Sequence, residues 1–464
     1  MGSNNIIYGI NDKPKFGLAV LLGMQHVFTL FGATTLVPLI LGGAIFGNDN
    51  AAMANFVGNV YLGMGIATLL QLYAGSGLPI IQGSSFAFLT PFFAIIAIVK
   101  TCGGGGAEIM QALAGALIAG GLIETVLGYT GFVGRLKKII TPVVIGPTIM
   151  LIGFSLFDIA VGSNAAKYWP VSLLVVALIF FFSLIAKGKT RLFPVLLSII
   201  ISYVICLILS ALNVFEQGHP AYVNLDAVKN SDWFRMPVLF PYGRPHFNPS
   251  AIFAVLAAFL ASIIESIGDY HSVSYAAGLK DPEPKTISKG IGAEGLGCVI
   301  NGLFGGAATT SYTENIGLIN ITKVASRYVV LIAAVILICL SFFSKLGALI
   351  ATMPSPIIGG AYIALFGVIG ALGIQVLSKC DLKSQRNLMI IGFAFIMGLG
   401  VGKWMPDYYK TNACLLGENG VGKICWDIIG AILSTPMGVG AICALLLDNI
   451  IPGSNEERGL NPKN

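Results

Sequence analysis

Tyr312-Thr313-Glu314-Asn315-Ile316-Gly317-Leu318-Ile319-Asn320-Ile321-Thr322 sets an acid, an amide and hydroxyls inside very apolar sequence, with Lys323 directly after it. On insertion scales an Asp or Lys at the centre of a spanning helix costs roughly 2.5–3.5 kcal/mol, so such residues usually face a cavity and mark an ion or substrate pathway. Small hydroxyl residues at Thr309-Thr310-Ser311 break the apolar run on its N-terminal side. About ten residues then remain before Lys323, which as helix rise about 15 Å, half of a roughly 30 Å hydrocarbon core. The stretch is expected to be a half-helix. Upstream, Glu265-Ser266-Ile267-Gly268-Asp269-Tyr270 is a second acidic cluster in apolar surroundings, and the two together suggest one shared site.

Composition places these stretches in a membrane. The chain has 464 residues, 56% of them hydrophobic and only 10% charged, with a mean hydropathy of +0.85. An all-α polytopic membrane protein follows, with room for at most about fourteen segments and no soluble domain. Apolar runs near 16–45, 52–74, 84–99, 107–128, 139–158, 169–186, 192–214, 249–272, 286–305, 311–322, 326–350, 355–377, 387–402 and 427–449 supply fourteen candidates. The first sixteen residues are polar, and no small-residue cleavage site follows the first run, so a cleaved signal peptide is not expected.

The net charge of +6 does not point to nucleic acid, because Lys and Arg are scattered through short loops without a basic stripe. With the N-terminus in the cytoplasm, eighteen of the 27 Lys and Arg residues lie on the inner side and nine on the outer. The positive-inside rule therefore predicts that both termini are cytoplasmic. Residues 215–248 and 403–426 then form outer caps.

A half-length repeat is visible. Pro142, Gly146, Ile149, Leu151 and Gly153 are identical to Pro356, Gly360, Ile363, Leu365 and Gly367, all at an offset of 214. Gly83-Ser84-Ser85-Phe86-Ala87 resembles Thr309-Thr310-Ser311-Tyr312-Thr313 at an offset of 226. Seven segments per repeat is odd, so the second copy enters the membrane from the opposite side. Inverted repeats are a recurring transporter architecture, with substrate bound near the midplane where discontinuous helices meet. Backbone outside helices at that depth must line protein or a cavity. Its free N–H groups, with the positive end of a half-helix behind them, suit carbonyl oxygens or negative charge.

The residues that stand out here also carry a resemblance. Glu314-Asn315-x-Gly317 with Thr322-Lys323, Gln25-His26, Gly83-Ser84-Ser85-Phe86-Ala87-Phe88 and Glu265-x3-Asp269 together resemble the nucleobase/ascorbate transporter family, over almost the whole chain. The resemblance implies two inverted seven-segment repeats, with broken helices and short extended stretches in segments 3 and 10. It implies a core domain from 1–130 (segments 1–4) and 249–350 (segments 8–11). It likewise implies a gate domain from 131–248 (segments 5–7) and 351–464 (segments 12–14 with a cytoplasmic tail).

A proton-coupled nucleobase importer of the plasma membrane is the implied function, with the proton as coupling ion, no cofactor and a homodimeric assembly. Glu265 and Glu314 would bind substrate by side chain, Phe86 and Thr313 by backbone N–H, with Tyr312 beside the ring; Gln25, His26, Ser85, Asn315 and Thr322 would support them. Asp269 stands where uracil-type bacterial members resemble one another in having His, and so is more like purine-type members. Glu314 is like uracil members, since xanthine and urate members typically carry Gln there. Uracil is the favoured substrate and xanthine or urate the alternative; an anion exchanger or channel on the same type of scaffold is a distant third.

Physical chemistry fits these expectations. A carboxylate accepts a hydrogen bond from a ring N–H, and a protonated one can also donate to a carbonyl. Glu265 and Asp269 are four apart, on one face of a regular helix, and two close acids do not both ionise easily, so the pair is expected to share a proton that couples uptake to the gradient. Gln25 and His26 read equally as packing glue between helices. Glu124 is expected to be structural, pairing with Arg135 or Lys137. The eight cysteines are dispersed without a CxxC pair or His/Cys cluster, which argues against a metal site, and no Ser/His/Asp arrangement suggests an enzyme. Cys414 and Cys425 share an outer stretch where spacing allows a bridge, although free thiols are the expected state. Gly103-Gly104-Gly105-Gly106 lacks the Lys-Ser/Thr of a phosphate cradle.

Overall fold

Proline, small residues and left-handed turns divide the apolar runs into helices. The computed structural model describes residues 6–47, 49–133, 139–412, 426, 428–430 and 432–460; Arg135, Lys137, Cys414 and Cys425 fall outside these. The helices are α1 (Phe16–Thr34), α2 (Leu36–Phe46), α3 (Asn50–Tyr73), α4 (Leu89–Thr101), α5 (Gly106–Tyr129), α6 (Pro142–Ser155), α7 (Trp169–Phe180) and α8 (Pro194–Ala211). They continue with α9 (Pro249–Ala276), α10 (Pro284–Phe304), α11 (Thr313–Thr322), α12 (Arg327–Ser341), α13 (Ser344–Ala351), α14 (Ser355–Leu377), α15 (Gln385–Asn412) and α16 (Pro436–Ile450). Beside these and several shorter helical turns, including one at Asp226–Asn230, there are two three-residue strands, β1 (Gln82–Ser84) and β2 (Thr309–Ser311).

Among the described residues seven helical stretches are long and apolar enough to cross a membrane, and the bent pair α1 and α2 would make an eighth. The other apolar runs hold helices that fall short of a span. α4, α7, α12 and α16 belong to shorter apolar stretches, and α11 has only ten residues. The protein is thus a multi-pass membrane protein in which several runs are broken. Burial separates inner from outer helices: α3 buries 78% of its most apolar window, whereas α8 and α15 each bury 28%. An apolar helix so little covered by protein has lipid as its natural neighbour.

Local chemistry sets the ends that position the site. α9 starts with Pro249 in its first turn and the Asn248 side chain accepting from the Ser250 and Ala251 N–H groups. α10 ends at Gly305, whose φ of 65° is the left-handed conformation that a glycine adopts without a Cβ clash. That turn delivers the chain to β2. α11 ends at Lys323, also left-handed at φ 58°, and the Lys323 carbonyl accepts from the Ile7 and Tyr8 N–H groups.

Two sets of helices pack closely. α5 lies against α10 through glycines: a Cβ added at Gly121 would sit 2.6 Å from the Gly295 carbonyl oxygen, and one at Gly128 would sit 2.9 Å from that of Ser288. α3, α12 and α9 join this group. α6 lies against α14, where a Cβ at Gly153 would sit 2.5 Å from the Phe366 carbonyl oxygen, and α15 and α16 pack beside them.

Candidate functional site

β1 and β2 come from distant parts of the chain and pair antiparallel, Gln82 with Ser311, Gly83 with Thr310 and Ser84 with Thr309. Two flanking bonds extend the ladder, Ser85 N–H to the Ala308 carbonyl at 3.0 Å and Tyr312 N–H to the Ile81 carbonyl at 3.1 Å. The arrangement is symmetric: Gln82 is to Ser84 as Thr309 is to Ser311, an offset of 227. The sequence match at 226 is therefore one residue out of step with the local two-fold. In the true register Phe86 corresponds to Thr313, and each is the first residue of its helix, a short 3₁₀ turn (Phe86–Phe88) and α11. N–H groups at that position have no intrahelical acceptor.

Gly83 is the small residue that this crossing requires. A Cβ there would collide with the Tyr312 ring and lie 2.7 Å from the Thr34 methyl. Tyr312 is thereby buried, 4% exposed, and its hydroxyl has no partner among the described residues. That hydroxyl lies within electrostatic reach of both Glu314 and Glu265. Phe86 is half-buried, edge-on to Phe366 of α14 with centroids 5.7 Å apart, and Phe366 stacks on Tyr362 at 5.3 Å.

Four acids converge beside the strands. The Asp269 carboxylate accepts from the Ser311 hydroxyl at 2.7 Å and the Thr313 hydroxyl at 2.8 Å, which ties α9 to β2 and to the first turn of α11. Glu294, on α10, accepts from Ser262 at 2.5 Å, Ser266 at 2.6 Å, Thr310 at 2.9 Å and Tyr270 at 3.3 Å, and is 1% exposed. Gln71 on α3 donates in turn to the Tyr270 oxygen. Glu265 is half-buried and Glu314 exposed, and neither receives a hydrogen bond from another described side chain. Glu265 is nonetheless in electrostatic reach of Asp269, Glu314 and Glu294. No ion pair among the described residues involves any of these four acids.

The structure thus brings Glu265, Asp269, Glu314, Tyr312 and Thr313 together, with Phe86 on the opposite arm. Asn315 faces the other way: its amide donates to the His26 carbonyl at 3.2 Å and lies 3.1 Å from His26 Nδ1, so it clamps α11 to α1. Gln25 is half-buried on α1, and Ser85 is buried with its hydroxyl unpartnered. Thr322 does not reach the acids; its hydroxyl donates to the Leu318 carbonyl at 2.8 Å and finishes the helix.

Glu294 is the residue that sequence reasoning missed, although it carries the signal that flagged the others, an acid inside an apolar run. The partners expected for Glu124, Arg135 and Lys137, lie outside the described residues. Glu124 is 1% exposed on α5, and neither carboxylate oxygen has a partner among the described residues. Its electrostatic neighbour is Glu294.

A multi-pass helical protein whose interrupted helices meet at a cluster of four acids, two buried and two open, is, as a class, a membrane transporter. Residues 17–406 match the sequence profile described as the Permease family. The chain is 36% identical to mouse Solute carrier family 23 member 2 over 98% of its own length and 76% of that protein. It is 29% identical to Nucleobase-ascorbate transporter 11 of Arabidopsis thaliana, over 98% of this chain and 70% of that one. The chain belongs to the nucleobase/ascorbate transporter family. Among solved structures, the transmembrane domain of the cyanobacterial bicarbonate transporter BicA superposes with a TM-score of 0.54, covering 94% of this chain and 99% of that one at 16% identity. That likeness is one of fold.

Proposed function

We propose that the chain is a proton-coupled importer of a nucleobase across the plasma membrane, with both termini in the cytoplasm. The observation that carries the reading is the unequal treatment of the four acids. Asp269 and Glu294 are supplied with hydroxyl donors, whereas Glu265 and Glu314 face accessible space without a side-chain donor. Two such acids suit the alternating N–H and C=O edge that uracil shares with the pyrimidine ring of xanthine, and charge-assisted bonds to it are stronger than neutral ones. The Phe86 and Thr313 N–H groups, at two helix starts, suit the ring carbonyls.

Glu314 favours uracil. Asp269 supports a second reading, xanthine or urate, in the same site. Four clustered carboxylates without a cation cannot all be charged at once, which supports the proton as coupling ion and Glu265 with Asp269 as its exchanging pair. Anion exchange would want a cation among these groups, and the site supplies acids.

In the same reading residues 1–130 with 249–350 form the moving core and 131–248 with 351–464 the gate. The close packing of α5 on α10 and of α6 on α14 supports that division. Apolar, little-covered helices such as α15 leave room for a homodimer through the gate.

The test is uptake of labelled uracil into cells lacking nucleobase importers, with unlabelled xanthine and ascorbate as competitors and a protonophore control. Protonophore-sensitive uptake that xanthine and ascorbate fail to block is the expected result. Uptake blocked by xanthine moves the substrate to purines, and uptake of neither base sinks the nucleobase reading.

A further inference from the structure

A cavity of about 450 Å³ lies between α4, α5 and the start of α9, and it shares no residue with the acidic site. Its two ends differ. At the mouth stand Cys102, Glu108 and His246, all exposed, with Gln111 and Asn248 behind them. Further in, the walls are apolar: Ala94, Ile95 and Ile98 of α4, Ala112 of α5, and Ala251 and Ala254 of α9. Ala94 lies eight residues before Cys102, about 12 Å along a helix and close to half of a roughly 30 Å hydrocarbon core. The cavity is thus as deep as one leaflet, polar at the helix ends and apolar toward the middle.

The mouth is braced by hydrogen bonds. The His246 N–H donates to the Gln111 carbonyl at 2.9 Å, the Gln111 amide donates to the Tyr242 carbonyl at 2.7 Å, and the Asn248 side chain caps α9. Alanine at four wall positions leaves the space open, and a void costs stability unless something fills it. Water does not suit the inner part, since a buried water needs about two to four polar partners and the side chains there supply none. Phe247 and Phe253, next in sequence to the lining residues Asn248 and Ala254, are 55% and 42% exposed, apolar surface of the kind that faces lipid in a spanning protein.

We propose that this cavity binds a zwitterionic phospholipid from the leaflet on the side of the α4–α5 turn, with one acyl chain between α4 and α9 and the headgroup at the mouth. Glu108 supplies an acceptor for the headgroup ammonium and the His246 imidazole a donor for its phosphate, while the same acid repels a headgroup of net negative charge. The site is independent of the substrate and the orientation proposed above.

The experiment uses the purified full chain in phosphatidylcholine nanodiscs that hold a small fraction of phosphatidylethanolamine with a photoreactive diazirine on one acyl chain. After illumination, adducts mapped by mass spectrometry to residues 94–99 and 251–254 should be severalfold denser than those on α15, an apolar helix little covered by protein. Ala94→Phe fills the cavity and should abolish the adducts at 251–254 while those on α15 stay; Ala254→Leu fills it from the facing wall and serves where the first variant unfolds. A phosphatidylglycerol probe with the same chain should label the cavity severalfold less, and Glu108→Gln should remove that difference. Cavity labelling no denser than that of α15, or unchanged by the filling variants, would mean annular lipid only and would overturn the proposal. Equal labelling by the two headgroups in wild type would overturn the assignment of Glu108 and His246 to the headgroup.

Discussion

Residues 82–86 and 309–313 follow the same backbone path, each as a short strand that hands over to a helix within two residues, related by the two-fold of their ladder. Their side chains share almost nothing. The second arm carries the chemistry: Thr310 feeds Glu294, Ser311 and Thr313 feed Asp269, and Glu314 follows at once. The first arm is polar too but feeds no acid: Ser84 donates to the Thr34 carbonyl, the Gln82 amide and Ser85 hydroxyl have no partner among the described residues, and Gly83 vacates the place that the Tyr312 ring fills. The difference teaches that a symmetric backbone need not mean a symmetric site. One arm can serve the acids and carry the Tyr312 ring because the other leaves room for that ring at Gly83.

The largest expected effect comes from filling the gap at Gly83. Gly83→Val drives a side chain into Tyr312 and Thr34, so uptake should fall to background and stability should drop by about 1–3 kcal/mol, the usual range for overpacking. Transport assays beside a thermal melt of the purified protein would show it, and normal uptake would break the comparison. Next is Glu294→Leu, which leaves hydroxyls on two elements, α9 and β2, without their acceptor. Each buried donor so orphaned costs about 1–3 kcal/mol, so the melt should shift down clearly even with ligand present.

Asp269→Asn should act more narrowly. Its partners Ser311 and Thr313 keep one good acceptor, so folding is expected to lose only about 1 kcal/mol. Proton-driven accumulation should vanish while exchange of labelled for unlabelled base persists; a variant that still accumulates base against a gradient would remove Asp269 from coupling. Glu314→Gln should weaken uracil uptake and move preference toward xanthine, read as a changed ratio of the two inhibition constants. Smallest is Thr322→Val, which removes a hydroxyl that donates to the Leu318 carbonyl and accepts from the Val324 N–H, away from the acids. About 0.5–1 kcal/mol of stability and near-normal transport kinetics are the expected outcome.

The sequence made the second arm legible and the first arm much less so, for a physical reason. An acid in an apolar run is conspicuous because lipid would penalise it, so Glu265, Asp269 and Glu314 could be read directly. Glu294 carried the same signal, but Lys285, Lys289 and many glycines make its run look less like a span, and it was passed over. Gly83 has no side chain to announce its role. The register could not be fixed either: Ser85 and Ser311 align by identity, yet the two-fold of the ladder relates Ser84 to Ser311, and slipping by one residue turns every side chain to the other face. Half-helix α11 was legible from length alone, whereas the tie from Lys323 back to Ile7 and Tyr8 depends on backbone groups that any residue could supply.

The backbone-close seam between α5 and α10 has a consequence for how the chain is made. Strand β1, Glu124 and the glycine face of α5 all find their neighbours in residues 288–311, which leave the ribosome well over a hundred residues later. Until then the newly inserted first quarter of the protein exposes polar backbone and a carboxylate with nothing to cover them. Membrane insertion of this protein therefore includes an interval in which these early segments lack the late-born partners that cover them in the folded chain.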